Sequence, residues 1–250
     1  MPTIEENRAI FERYAWPRGG DEWSDQWGSS RLFFYGTVMP RIAARVPTGH
    51  LLEIAPGYGR LTQYLLALCD RYTGVDIAEN CVRACRERFS DAAHARFVRG
   101  DGRSLDFLED ASIDFAFSFD SLVHADDVAL TGYVGDLATK LRPGAYAFLH
   151  HSNIGEYVND GGGEPTVPNP EFRDPTVSAE SFRGLSAGAG LDCIAQEIIN
   201  WHSPHYTDCI SLCRRPEEPA EARAGTVVAR HPDMAIEEAA FKRLHEIYDR

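Results

Sequence analysis

Glu53, Gly57, Gly59 and Asp76 are the residues whose types and spacing most clearly imply chemistry. In the run HLLEIAPGYGRLT, His50 to Thr62, a short apolar strand carries an acid and then enters a tight glycine turn ahead of a helix. Such a turn brings backbone N–H groups and a helix N-terminus against a ligand, and the glycines remove side chains that would block approach. Seventeen residues after Gly59 a second apolar segment ends in Asp76. An acid there, at the tip of the neighbouring parallel strand, suits the hydroxyls of a ribose. The pattern implies a nucleoside held across the ends of two strands. A dinucleotide fits poorly. Thr62 stands near where a third glycine is expected, and Glu53 would repel a pyrophosphate. A ligand bearing positive charge explains that acid better.

The elements that must position these residues read as alternating strands and helices between about 50 and 215. Strands are expected at 51–55, 72–76, 95–99, 113–119 and 145–151, with helices at 60–69, 79–89 and 126–141 between them. In the helix at 79–89, Cys81, Cys85 and Phe89 repeat at helical spacing while Arg83, Glu87 and Arg88 face outward. Alternation of this kind implies an α/β fold with a mostly parallel sheet and helices on both faces. ArgProGly at 142–144 stops the preceding helix. Residues 152–177, rich in Gly, Pro and Asn and including GlyGlyGly at 161–163, read as a lid or loop insertion. Ser178 is a helix cap, and the runs 192–201 and 207–214 read as an antiparallel hairpin closing the sheet edge.

Three segments result: an aromatic-rich N-terminal cap (1–48), an α/β domain (49–215), and a linker with a C-terminal helix (216–250). In that last helix Ile236, Ala240, Leu244, Ile247 and Tyr248 should form one face, packed on the core or, alternatively, in a homodimer contact.

Bulk properties narrow the partners. The formal charge of −13 over 250 residues argues against a nucleic-acid surface, which needs a basic face. No apolar run reaches membrane-spanning length and the first residues lack a signal-peptide core, so a cytoplasmic location without membrane contact is the expectation. Cys81 and Cys85 share a helix face and Cys209 and Cys213 a strand face. No CxxC pair occurs, and buried structural thiols are expected rather than a metal site.

In five places the chain resembles the class I S-adenosylmethionine-dependent methyltransferases, over about residues 49–215. LLEIAPGYGR at 51–60 resembles their first motif. Asp76 in GVDIAENCV matches the ribose-binding acid, and GDG at 100–102 matches the adenine-side motif. SIDFAFSFDSLVH at 112–124 and LRPGAYAFLHHSN at 141–153 match the fourth and fifth. Ala55 stands where most members carry glycine. The resemblance implies a Rossmann-like seven-stranded sheet with an antiparallel last hairpin, and S-adenosylmethionine as cofactor with S-adenosylhomocysteine (SAH) as product. It implies that Glu53 answers the ammonium and sulfonium of the cofactor's methionine part, directly or through water, and that N–H groups at 57–59 face its carboxylate. Asp101 would meet the adenine amino group, Ile77 and a residue near Arg103 would sandwich the ring, and Gly102 counts among the cofactor-binding residues. Phe119 belongs to the same cofactor-binding set.

The methyl acceptor is less legible. The stretch after the fourth strand lacks the Asn/Asp-Pro-Pro-Tyr/Phe signature of base-methylating enzymes. It looks most like bacterial enzymes acting on sugars and other small secondary metabolites, such as antibiotics. An alcohol must lose its proton as it attacks, and a positioned histidine can supply about 10²–10⁴ in rate. His124 and His151 are the expected candidates, with Asp120 able to orient His124 or merely to cap a helix. His150 alternates to the other side of its strand and is expected to be buried. Tyr14 and Trp27 are expected to face the cavity from the cap, and Arg31 is a candidate for the cofactor carboxylate. The reading is O-methylation of a small metabolite. N-methylation of an amine or amino sugar and a non-catalytic cofactor-binding relative are the alternatives.

Overall fold

The computed structural model describes residues 3–159, 163–201, 203–218, 225–232 and 234–248. Within residues 160–162, 202, 219–224 and 233 fall parts of the expected glycine-rich loop, the turn before the last strand, the linker and the last helix's start. These lie outside the described residues, as do the side chains of Leu244 and Tyr248.

The N-terminal segment is helical: α1 (Ile4–Arg13), a 3₁₀ stretch Asp21–Trp27, α2 (Ser30–Phe33), a π-turn Phe34–Val38 and α3 (Met39–Ile42). Thr3 and Glu6 start α1 with a reciprocal capping box. Then follow β1 (Thr48–Ile54), α4 (Thr62–Leu65), β2 (Cys69–Asp76), α5 (Glu79–Arg88), β3 (Ala95–Arg99), β4 (Ile113–Ser118), α6 (Asp127–Lys140) and β5 (Leu141–Ser152). The chain ends with α7 (Ala179–Ala189), β6 (Asp192–Ile199), β7 (Asp208–Arg214), β8 (Val227–His231) and α8 (Met234–Tyr248).

Among the described residues one sheet holds eight strands in the order β3-β2-β1-β4-β5-β7-β6-β8. β7 runs antiparallel to both β5 and β6, while the other neighbours are parallel. The Rossmann-like α/β architecture therefore stands, with β8 added beyond the seven strands expected. It occupies part of the segment read as a linker, where its valines gave no clear alternation.

Side-chain alternation divides the core. One face of the sheet carries Leu51, Tyr72, Phe115, Phe117 and Phe148, covered by the N-terminal rings Trp27, Phe33 and Phe34. The other carries Leu52, Ile54, Ala116 and Leu149 against Leu130, Val134 and Leu137 of α6 and Phe182 of α7. α8 lies over the N-terminal segment with a face other than the one expected. Met234 is buried and the Phe241 ring packs against Gly36, whereas Ile236 and Ile247 are exposed. Contact with Gly36, which has no side chain to hold the helix away, selects that face. Among the described residues no helix is long and apolar enough to cross a membrane.

Candidate active site

At the carboxyl ends of β1, β2 and β4, under the N-terminal segment, lies a cavity whose lining includes Glu53, Ala55, Gly57, Asp76, Ile77, Gly102, Phe119, Asp120 and His124. The turn after β1 forms its floor. Gly57 has φ of 57°, and a β-carbon there would lie 2.8 Å from the Trp16 ring. The glycine thus admits a tryptophan of the cap as well as a ligand. Ala55 also sits in the left-handed region, at φ 58°, where an L side chain is strained.

Asp76 anchors the second strand end. Its two carboxylate oxygens accept the N–H groups of Gly57 at 3.0 Å and Ala78 at 2.9 Å. Burial raises its pKa to about 6, against the lowering effect of these backbone bonds. A carboxylate offers about four acceptor sites, more than these backbone N–H groups use, so Asp76 can still accept from a hydroxyl. Glu53 is buried on the same face of the sheet as Leu51. Thr62 Oγ1 donates to it at 2.6 Å, and so does the Tyr72 hydroxyl. Both donors are neutral, and desolvation lifts the Glu53 pKa to about 7. A buried carboxylate without a cationic hydrogen-bond donor suits a ligand that brings positive charge. Opposite it the lining is apolar, with Ile77, Gly102, Leu122, Ala129 and Tyr133. A ligand with a cationic end, a diol and a flat apolar ring matches these three regions.

The cation already present is spoken for. Arg60, in the turn after β1, lies 2.9 Å from Asp120 Oδ2 and donates to Ser24 Oγ at 3.2 Å. Asp120 therefore pairs with Arg60 rather than orienting His124. His124 Nδ1 stands 3.2 Å from the carbonyl of Phe172. A carbonyl only accepts, so Nδ1 carries the proton and Nε2 is the bare nitrogen. Burial first, then the charge of Arg173, lowers the pKa of this imidazole, keeping it neutral near pH 7.

Residues 51–144 match the protein family described as "Methyltransferase domain". A probable ribosomal RNA small subunit methyltransferase A of Halobacterium salinarum is 40% identical over 76 residues, covering 26% of this chain and 27% of that one. The corresponding protein of Synechococcus elongatus is 34% identical over 73 residues, so the chain spans about a quarter of the length of the curated relatives it matches. Among solved structures, the [4+2]-cyclase SpnF superposes with a TM-score of 0.65 at 13% identity, over 87% of this chain and 98% of that one. DhpI in complex with SAH superposes at 0.56 with 17% identity, over 86% and 98%. These two likenesses are of fold. Residues 51–144 are matched as a methyltransferase domain, which indicates S-adenosylmethionine as the cofactor.

Against that domain, several expected site residues sit elsewhere. His151 is fully buried on the opposite face of the sheet, stacked on Phe182 at 3.9 Å, with Nε2 2.8 Å from Ser211 Oγ. Burial drives its pKa down to about 3, and it does not approach Asp120 or His124. His150 is the one on the cavity side. Its Nδ1 accepts the Asp120 N–H at 3.1 Å, and its Nε2 lies 3.1 Å from Asp208. The register decides this: Phe148 pairs with Phe117, and the two rings stack at 5.6 Å on the cap face, so the even-numbered residues of β5 point that way. Asp101 is exposed, and its Oδ1 accepts the N–H groups of Arg103 and Ser104 at 2.9 and 2.8 Å, a turn role rather than a wall of the cavity. Arg103 likewise lies outside the lining, its carbonyl pressed to Gly132 of α6. Gly59 admits not a ligand but Phe89, whose ring would lie 2.4 Å from an added β-carbon. Trp27 is fully buried between Phe33 and Trp201, with Nε1 donating to Thr37 at 2.9 Å. Tyr14 is half-exposed and packs edge-on against Trp16 and Trp23, and Arg31 is exposed.

The cap residues that do reach the cavity are Ile4, Asn7, Phe11, Trp16, Gly20 and Trp23. Trp16 stacks on Tyr58 at 4.6 Å and on Trp23 at 6.1 Å. The aromatic load of residues 1–48 signalled a cap, but which rings turn inward depends on contacts with the glycine turn. Arg60 carried no signal of its own, because its partner Asp120 is 60 residues away.

Proposed function

We propose that this protein is an S-adenosylmethionine-dependent methyltransferase that methylates a hydroxyl of a small metabolite, of the kind found among sugars and natural products, with His124 as the base. The observation that carries the reading is His124 itself. It is a neutral imidazole lining the cavity that Glu53 and Asp76 also line, with its bare Nε2 available to take a proton. The cofactor, when bound, supplies a sulfonium methyl group open to in-line displacement. Asp76 holds the ribose hydroxyls, Glu53 balances the cationic end, and Gly102 with Ile77 makes room for the base. Phe11, Trp16 and Trp23 exclude water from above. Alignment of this kind contributes up to about 7–11 kcal/mol in favourable systems.

The test is release of SAH from an acceptor panel of alcohols, amines and a ribosomal RNA fragment. With an alcohol substrate, His124→Ala should lower kcat by about 10²-fold or more, with little effect on cofactor affinity. Retention of full turnover in that variant would transfer the proposal to an amine acceptor, which needs less help from a base. The ribosomal RNA methyltransferase relatives favour a second reading, a nucleic-acid acceptor. It requires RNA-dependent turnover that falls steeply with salt. The chain's charge of −13 supports the small-molecule reading instead.

A further inference from the structure

Behind His124 the backbone is held in an unusual shape. Phe172 has φ of 53°, a left-handed conformation that a bulky residue keeps only where its surroundings impose it. The residue is 64% exposed, so burial of its side chain does not explain the conformation. What the conformation achieves is the approach of the Phe172 carbonyl to His124 Nδ1. The constraint comes from the next residue. Arg173 is buried, with Nε 3.1 and 3.2 Å from the two carboxylate oxygens of Asp208. Its own N–H and carbonyl are clasped by the Asn169 side chain, at 2.8 Å each. One residue further, the Asp174 N–H donates to the carbonyl of Val123, the neighbour of His124, at 3.2 Å. Phe172 is thus fixed from its C-terminal side onto the segment that bears the imidazole.

We propose that Arg173 is a positioning residue: seated on Asp208, it holds the Phe172 carbonyl against His124 and so keeps that imidazole's proton on Nδ1 and its Nε2 bare. The catalytic meaning of this arrangement rests on His124 being the base; the arrangement itself does not. An imidazole released from the carbonyl exchanges between its two neutral forms, and only one of them presents Nε2 as an acceptor. The charges facing His124 are Arg173 from the loop, Asp120 from the end of β4 and Asp208 from β7. Arg173 lowers the proton affinity of the ring and the two acids raise it. Removing Arg173 therefore changes charge and geometry together. Asn169→Ala changes geometry alone, at a position that is only half-buried.

The experiment is nitrogen NMR on the full chain with ¹⁵N-labelled histidine, the His124 signals assigned by their loss in His124→Gln, above the pH at which the ring titrates. In the parent protein the proton should reside on Nδ1. In Asn169→Ala and Arg173→Met the two ring nitrogens should converge as the other form becomes populated, and Arg173→Lys should restore part of the separation. With an accepted substrate, kcat should fall about tenfold in the first two variants while KM for the cofactor stays within about twofold. Only Arg173→Met should also shift the titration of His124 upward. A proton on Nε2 in the parent protein, or an unchanged Nδ1–H form in folded Asn169→Ala, overturns the proposal. Should Arg173→Met fail to fold, Asn169→Ala decides. A shifted tautomer with undiminished kcat upholds the positioning role and removes His124 as base. An unchanged tautomer with an inactive His124→Ala does the reverse.

Discussion

Glu53 and Asp76 are acids that burial has made reluctant to ionise, with pKa values raised to about 7 and about 6 from ordinary values of 4.5 and 3.8. A raised folded-state pKa means that the native protein binds the proton more tightly than the unfolded chain. The stability this contributes is fully present below the unfolded values and is lost as pH rises through the folded ones, between about 4 and 7. The ligand-free protein should therefore melt at a lower temperature at pH 8 than at pH 6, and Glu53→Gln should flatten much of that slope. Calorimetry of both proteins at the two pH values checks this, and an unaltered slope in the variant would rule Glu53 out as its source. A cationic ligand pulls Glu53 back to its charged form. Cofactor binding near pH 7 should then release a proton, which titration calorimetry in buffers of different ionisation enthalpy detects. At Ala55 the left-handed backbone is the issue. Ala55→Gly should raise stability by about 1 kcal/mol, read from urea denaturation, since the strain removed exceeds the added freedom of the unfolded chain.

Between elements, the contact that ties most together is Arg60 with Asp120. It joins the turn after β1, the end of β4 and, through Ser24, the N-terminal segment, and both side chains are about nine-tenths buried. Removing one partner of such a pair strands the other charge in a poor solvent, at about 3 kcal/mol. Arg60→Met and Asp120→Asn should each destabilise by roughly that amount, and the double variant by clearly less than their sum. Strict additivity in denaturant melts would mean that the two do not interact. The histidines of β5 also belong to this scale. Their alternation was legible from sequence, but its parity was not, because the pairing of Phe148 with Phe117 sets which residue faces the cap. The same limit applied to α8. Apolar spacing suggested a face through Ile236 and Ile247, yet Gly36, far earlier in the chain, admits the Phe241 ring instead.

At the scale of the molecule, the N-terminal segment closes the cavity over the strand ends, touching it through Ile4, Asn7, Phe11, Trp16, Gly20 and Trp23. Cofactor binding should therefore protect that segment, and trypsin cleavage at Arg8 and Arg13 should slow severalfold when S-adenosylmethionine is present. Equal rates with and without cofactor would mean that the segment does not seal the site. The order of strands and helices from β1 to β7, the glycine turn after β1 and the acids Glu53 and Asp76 came from the sequence alone, whereas β8 did not. Each rests on a local pattern, whether period two, period 3.6 or a turn residue, that needs no distant partner to be recognised. The tertiary structure decided which histidine meets the cavity, which tryptophans cover it and that Arg60 is neutralised by Asp120. It also turned Gly59 toward Phe89 and Asp101 into a turn. Those outcomes depend on strand register and on contacts between residues tens of positions apart, where packing complementarity, not periodicity, selects the partner.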